Sequence, residues 1–163
     1  MSKESTLRPA DEEARGIARD LLSAARFGAL AVVHPASGAP FVTRVALGLA
    51  EDGGLISLVS TLSQHTGALQ ENPNCSLLVG EPGEKGDPLT HARLTVQCAA
   101  KFVDKADASY MDLRAHYLLT HPKAKLYIDF ADFRFVRFQV KEAFLNGGFG
   151  FACELTAADL GQP

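Results

Sequence analysis

The run Phe133-Arg134-Phe135-Val136-Arg137-Phe138-Gln139-Val140-Lys141-Glu142-Ala143-Phe144 restricts the possible folds more than any other part of the chain. Its side chains alternate, with Phe133, Phe135 and Arg137 on one side and Arg134, Val136, Phe138 and Val140 on the other, so one face is mostly aliphatic. Only an extended strand sends successive residues to opposite faces. Ala92 to Val103 alternates in the same way for most of its length, which predicts a second long strand with one buried face.

The rest of the chain supplies partners for these strands. Asp11 to Arg26 carries Ile17, Leu21, Leu22 and Ala25 at helical spacing, with acidic residues in the first turn, and reads as an amphipathic helix after a frayed start through Pro9. Phe27–His34, Phe41–Leu49 and Leu55–Val59 are three strands joined by the turns Pro35–Pro40 and Glu51–Gly54, an antiparallel meander. Cys75–Val79 is a fourth strand, and Gly80 to Thr90 is a polar loop. From Asp107 a second main helix places Tyr110, Leu113, Tyr117 and Leu118 on one face and stops before His121-Pro122, because proline disfavours helical geometry in the residue before it. Lys123 to Asp129 is a short connector. Six antiparallel strands with two main helices in 163 residues predict a mainly β protein, a small barrel closed by helices. A barrel of that size is filled by its own side chains, so a cofactor must sit outside it, at its mouth, or between two copies.

Composition removes several classes of function. With 47% hydrophobic and 21% charged residues the chain suits one domain, 1–163, with its core at about 11–153. The net charge of −3 and the absence of any Lys or Arg run leave no footprint for nucleic acid or an anionic membrane. No apolar run approaches the roughly 20 residues a bilayer requires, and the polar N-terminus predicts a cytoplasmic protein. Cys75, Cys98 and Cys153 are odd in number and widely spaced, and are expected as buried free thiols. The histidines and cysteines match no zinc spacing, so no metal site is expected. There is no Gly-x-Ser-x-Gly elbow and no Walker-type loop.

The chemistry concentrates at Ser60-Thr61-Leu62-Ser63-Gln64-His65-Thr66, where a strand ends and a short helix begins. Hydroxyls, an amide, an imidazole and the free N–H groups of a helix start can all face one oxyanion, phosphate above all. Alternatively, Ser63 or Thr66 caps the helix. Arg44 interrupts an otherwise apolar strand and needs an anionic or hydrogen-bonding partner, which a ligand or a carboxylate of the same fold would supply.

Four blocks, in order and spacing, resemble the FMN-binding split barrel of the pyridoxamine 5'-phosphate oxidase-like superfamily, in the branch related to the N-terminal part of haem-utilisation proteins. They are Pro40–Leu47; Leu58–Ser60 through His65-Thr66 with Asn72–Leu78; Asp87-Pro88-Leu89 through Arg93–Gln97; and Gly147–Ala152. The resemblance implies a homodimer holding FMN at its interface and a flavin-dependent oxidoreductase acting on a small molecule. Alternatives are a non-catalytic flavin-binding protein and a haem-binding protein using the same cleft. It places Arg44 and the backbone at Val45 beside the phosphate and ring edge. Ser60, Thr61, Ser63, Gln64, His65 and Thr66 fall around the phosphate and ribityl chain, and Gln97 either reaches the flavin ring or its support from the partner subunit or is simply a solvent-facing strand residue. His65 stands where the best-known oxidases have lysine, so phosphate binding should strengthen as pH falls. Ala68 replaces a frequent asparagine and Cys98 a usual glycine. Gly147 to Gly150 should let the backbone pass close to the partner or the flavin, with Phe149 packing on either. No counterpart of the oxidases' C-terminal Trp and Arg follows Phe144, so the pyridoxamine phosphate substrate does not carry over, and no catalytic residue is nominated.

Overall fold

The structure, a computed structural model, describes residues 7–148 and 150–163. The first helix, α1 (Glu12–Ala24), starts at Asp11, whose carboxylate accepts the Ala14 N–H at 2.9 Å, and Glu12 and Glu13 occupy the positive end of its dipole. It buries Ala14, Ala18 and Leu22, with Ile17, Leu21 and Ala25 packed at the margin. Arg8, in the segment expected to be frayed, is instead anchored, its N–H donating to the Ala152 carbonyl at 2.8 Å.

The sheet follows the predicted meander and extends it. Strands β1 (Phe27–Val33), β2 (Pro40–Ala46), β3 (Gly48–Leu49) and β4 (Leu55–Ser60) precede the short helix α2 (Gln64–Glu71). Then come β5 (Asn74–Val79), β6 (Arg93–Val103), helix α3 (Tyr110–Thr120), β7 (Phe133–Asn146) and β8 (Ala152–Thr156). All strand pairings are antiparallel, in the order β2-β1-β5-β6-β7-β4-β3, with β8 added to the far half of β7. The described residues thus hold eight strands where six were expected. The expected second strand, 41–49, is broken at Leu47, whose N–H turns aside to the Arg26 carbonyl at 2.9 Å. Its first half pairs with β1 and its second with β4, so the sheet curls until its two ends meet on one chain segment, as in a split barrel. Ser57, fully buried on β4, ties that seam by donating to the Ala46 carbonyl at 2.7 Å.

Two cores explain the patterning. Inside the barrel lie Leu30, Val32, Leu77, Val79, Leu94, Val96, Val136 and Phe138. Outside it, Ile56, Leu58 and Phe135 pack against Tyr110, Leu113 and Tyr117 of α3. β4 is therefore apolar on both faces, and β7 buries the adjacent Phe135 and Val136 in different cores. Past Val140 the alternation of β7 slips. Cys98 pairs with Val140 but Gln97 with Glu142, leaving Lys141 as a bulge, after which Ala143 and Leu145 take over the inward positions. At Gly148, with φ +112°, an added Cβ would sit 2.7 Å from the Thr90 carbonyl. The close approach is thus to this chain's own loop; Phe149 lies outside the described residues. No helix among the described residues is long and apolar enough to cross a membrane.

Candidate functional site

The polar turn divides into a locked part and an open part. Ser60 ends β4, and its hydroxyl donates to the Asp132 carboxylate at 2.6 Å while accepting the Leu62 N–H at 3.1 Å. Thr66, fully buried, donates its hydroxyl to the Ser60 carbonyl at 2.6 Å. Thr61 is held through its N–H to the Asp132 carbonyl at 2.7 Å. The Ser60 and Thr66 hydroxyls therefore build the turn, and in this arrangement they are not presented to a ligand. Leaving the buried Thr66 hydroxyl without a partner would cost about 1–3 kcal/mol.

The open part is the start of α2. Ser63 stands at the N-cap position, where its carbonyl accepts the Thr66 N–H at 3.0 Å, but its hydroxyl caps nothing. Neither Ser63 nor Thr66 caps through its side chain, contrary to the simpler sequence reading. Among the described residues, the side chains of Thr61, Ser63 and Gln64 make no hydrogen bond, and the N–H groups of Gln64 and His65 have no acceptor. A helix start with free N–H groups, flanked by free hydroxyls, suits an anion. The Asp132 carboxylate beside Ser60 opposes one.

His65 joins this opening to β2. Its Nδ1 lies 3.1 Å from the Thr43 hydroxyl, and Nε2 has no partner among the described residues. Burial holds the imidazole below its ordinary pKa of 6.5, so it is neutral near pH 7 and gains charge only in more acidic solution. Two tautomers follow. If Thr43 donates to Nδ1, Nε2 carries the proton and can donate to an anion. If Nδ1–H donates to Thr43, Nε2 presents a lone pair, the state in which a hydrogen-bonded imidazole ligates a metal.

The other expected site residues are placed apart. Val45 is buried in the barrel core and offers only backbone. Arg44 is not buried and has no carboxylate partner among the described residues; its guanidinium lies over the Phe27 ring, 5.4 Å from the centroid. Contrary to the expectation from its apolar strand, Arg44 points out of the barrel into solvent, where a guanidinium requires no anionic partner. Gln97 is exposed on β6, three strand pairings from β2, or roughly 14 Å at the usual strand spacing. One chain does not bring Gln97 to the turn. Gln97 instead lines an open cavity of about 400 Å³ with Pro40, Asn74, Ser76 and Lys141, where the Lys141 ammonium donates to Asn74 Oδ1 at 2.7 Å. Thr43, Asp132 and Lys141 escaped sequence reasoning, since strand register brings each of them in and no local motif marks them.

The outer face of β2-β1-β5 carries several exposed apolar side chains beside Arg44 and Ser76. Ala29 pairs with Arg44 and Leu78, and Ala31 with Val42 and Ser76. Around these small residues Phe27, Val42 and Leu78 are 41%, 61% and 44% exposed.

Comparison with known proteins places this geometry in a family. The family described as CREG, beta-barrel matches residues 9–160. The chloroplast heme oxygenase HOZ of Arabidopsis thaliana is 40% identical over 90 residues, which cover 55% of this chain and 26% of that protein. The structure of a heme binding protein from Mycobacterium smegmatis is similar with a TM-score of 0.82 and 28% identity, covering 95% of this chain and 61% of that one. This chain thus spans about a quarter of the first relative and about three fifths of the second. A pyridoxinephosphate oxidase family protein from Clostridium acetobutylicum shares the fold at a TM-score of 0.68 and 14% identity, covering 93% of this chain and 99% of that one. From the seam at Leu47 to the strand order, the architecture is that of these split barrels, and the chain belongs to the CREG beta-barrel family.

Proposed function

We propose that the chain binds haem in a cleft formed with a second copy of itself. The observation that carries this reading is His65, a neutral, half-buried imidazole with Nδ1 on Thr43 and Nε2 free, at the mouth of an uncapped helix start. Likeness along most of the chain to a heme binding protein supports it. His65 would offer Nε2 to the iron, and the α2 start with Thr61, Ser63 and Gln64 would take the propionates. Bound haem would supply a redox-active iron; the chain would orient it and limit the access of water. The apolar outer face around Ala29 and Ala31 suits the second copy, whose Gln97 would then reach a site that its own chain does not approach.

A second reading, an FMN-dependent oxidoreductase with a small-molecule substrate, is favoured by the same free donors, which fit a phosphate as well as a carboxylate. The carboxylate of Asp132 opposes phosphate and propionate alike, whereas the downward shift of His65 leaves a neutral imidazole that suits iron better than it offsets a phosphate dianion.

Titration of the purified protein with haem and, separately, with FMN distinguishes the two. The expected result is a shifted Soret band with haem that is lost in His65→Ala. An unshifted Soret band refutes the haem reading, and a bound flavin spectrum with FMN would put the second reading in its place. Sedimentation of a strict monomer at micromolar concentration would remove the composite cleft from both.

A further inference from the structure

Cys75 and Cys98 are 23 residues apart in sequence and directly opposed in the structure. They are register partners on β5 and β6, and the Cys75 thiol lies 3.8 Å from the Cys98 carbonyl. Along the same ladder the Ala100 N–H donates to the Pro73 carbonyl at 2.8 Å. Positions alternate, so 75/98 is a hydrogen-bonded position too, with Cα atoms roughly 5.5 Å apart. That separation is inside the Cα window of about 4.4–6.8 Å that a disulfide spans. The Cβ atoms of a hydrogen-bonded pair start near the wide end of about 4.5–5.5 Å, so closing the bond requires them to approach by about 1 Å. The Cys98 thiol, 3.6 Å from the Val96 carbonyl, must leave that contact. Both side chains turn to the barrel side, yet both line the open cavity of about 400 Å³ that also holds Asn74, Gln97 and Lys141. The β-bulge at Lys141 lies on β7 opposite the Gln97/Cys98 step, so the β6–β7 ladder changes register beside Cys98.

We infer that Cys75 and Cys98 form a dithiol site, which a small two-electron oxidant entering through this cavity converts to an intramolecular disulfide. With hydrogen peroxide the atoms balance as follows. The Cys75 sulfur, the more accessible of the two, attacks one peroxide oxygen, the O–O bond breaks, and a sulfenic acid and one water form. The Cys98 sulfur then attacks the sulfenic sulfur, the S–O bond breaks, and a second water leaves with the remaining thiol proton. Two thiols lose two electrons and two protons, and peroxide is reduced to two waters. Burial pushes the Cys75 thiol up to about 11 and Cys98 higher, with the Lys141 ammonium pulling both the other way, so the reaction is slow and must be followed to completion. Cys153, also buried, lies on β8 and is paired in register with Leu145, not with either thiol.

The test uses the reduced, folded protein, exposed to hydrogen peroxide and then unfolded and alkylated. The expected result is a mass loss of two hydrogens, a fall from three alkylatable cysteines to one, and a linked pair of peptides carrying residues 75 and 98. Cys153→Ala should leave the cross-link intact, and Cys98→Ala should abolish it. Three alkylatable thiols after treatment, a link involving Cys153, a link between chains, or oxygen addition without a link would each overturn the inference.

Discussion

Thr66→Val tests the division of the polar turn into a locked and an open part. The substitution keeps the shape of a fully buried side chain and deletes one hydroxyl, whose bond to the Ser60 carbonyl is 2.6 Å long. The carbonyl keeps a weaker partner, the Ser63 N–H at 3.1 Å, so it is not left bare. The loss should therefore lie near the lower end for a buried hydrogen bond, about 1–2 kcal/mol. For a domain of this size that corresponds to a fall of roughly 2–8 °C in the melting midpoint. Ser63→Ala is the control: its hydroxyl makes no bond, so its midpoint should move by less than about 0.5 kcal/mol in equivalent stability. Its affinity for an anionic cofactor should drop. Thermal and urea unfolding followed by circular dichroism read the first quantity, and ligand titration the second. If Thr66→Val melts within about 1 °C of the parent, or Ser63→Ala loses as much, the assignment of roles is wrong.

Other outcomes can be read in the same assays. Phe135→Ala empties the centre of the outer core, where Phe135 meets Tyr110 and Tyr117 edge-on at 5.4 Å, and should cost about 3–5 kcal/mol in urea unfolding. Gly80→Ala should destabilise more than Gly38→Ala; both have positive φ, but only at Gly80 would the new Cβ meet backbone, 2.6 Å from the Ala92 carbonyl. The reverse order would contradict the packing. Asp159 accepts Arg15 Nε at 2.8 Å together with the Thr156 N–H and hydroxyl, which hold its carboxyl at about 2, below the ordinary 3.8. Its stabilisation is therefore complete above the ordinary value and is lost as pH falls toward 2; Asp159→Asn should flatten that part of an acid-unfolding curve. Asp132→Asn keeps an acceptor for Ser60 but removes the carboxylate's charge from beside the turn, and should raise affinity for an anionic cofactor several-fold.

The fold was legible because its signals are local. Alternation from Phe133 to Val140, the turns after His34 and Leu49, and His121-Pro122 as a helix stop each rest on a few neighbouring residues, and each reappears in the structure. The short strand β8 went unnoticed because Ala152–Thr156 has little pattern of its own and is a strand only through its pairing with β7. The break at Leu47 was equally hidden, since its cause is a carbonyl 21 residues away.

The site was legible as a composition of donors and not as an arrangement. Hydroxyl, amide and imidazole groups at 60–66 can be counted in the sequence, and their count points to an anion. Whether each faces a ligand or a neighbour depends on Asp132, Thr43 and the barrel wall, all distant in sequence. Arg44 shows the same limit, because its face of the strand is set by how β2 closes the barrel. Short-range periodicity and turn chemistry specify the longer strands, the helices and the antiparallel meander of the first strands, but not the sheet order, the break at Leu47 or β8. Which hydroxyls are spent, where His65 points and that Cys75 meets Cys98 follow from long-range register, because a hydrogen bond or a thiol pair forms between atoms made neighbours by the closed sheet.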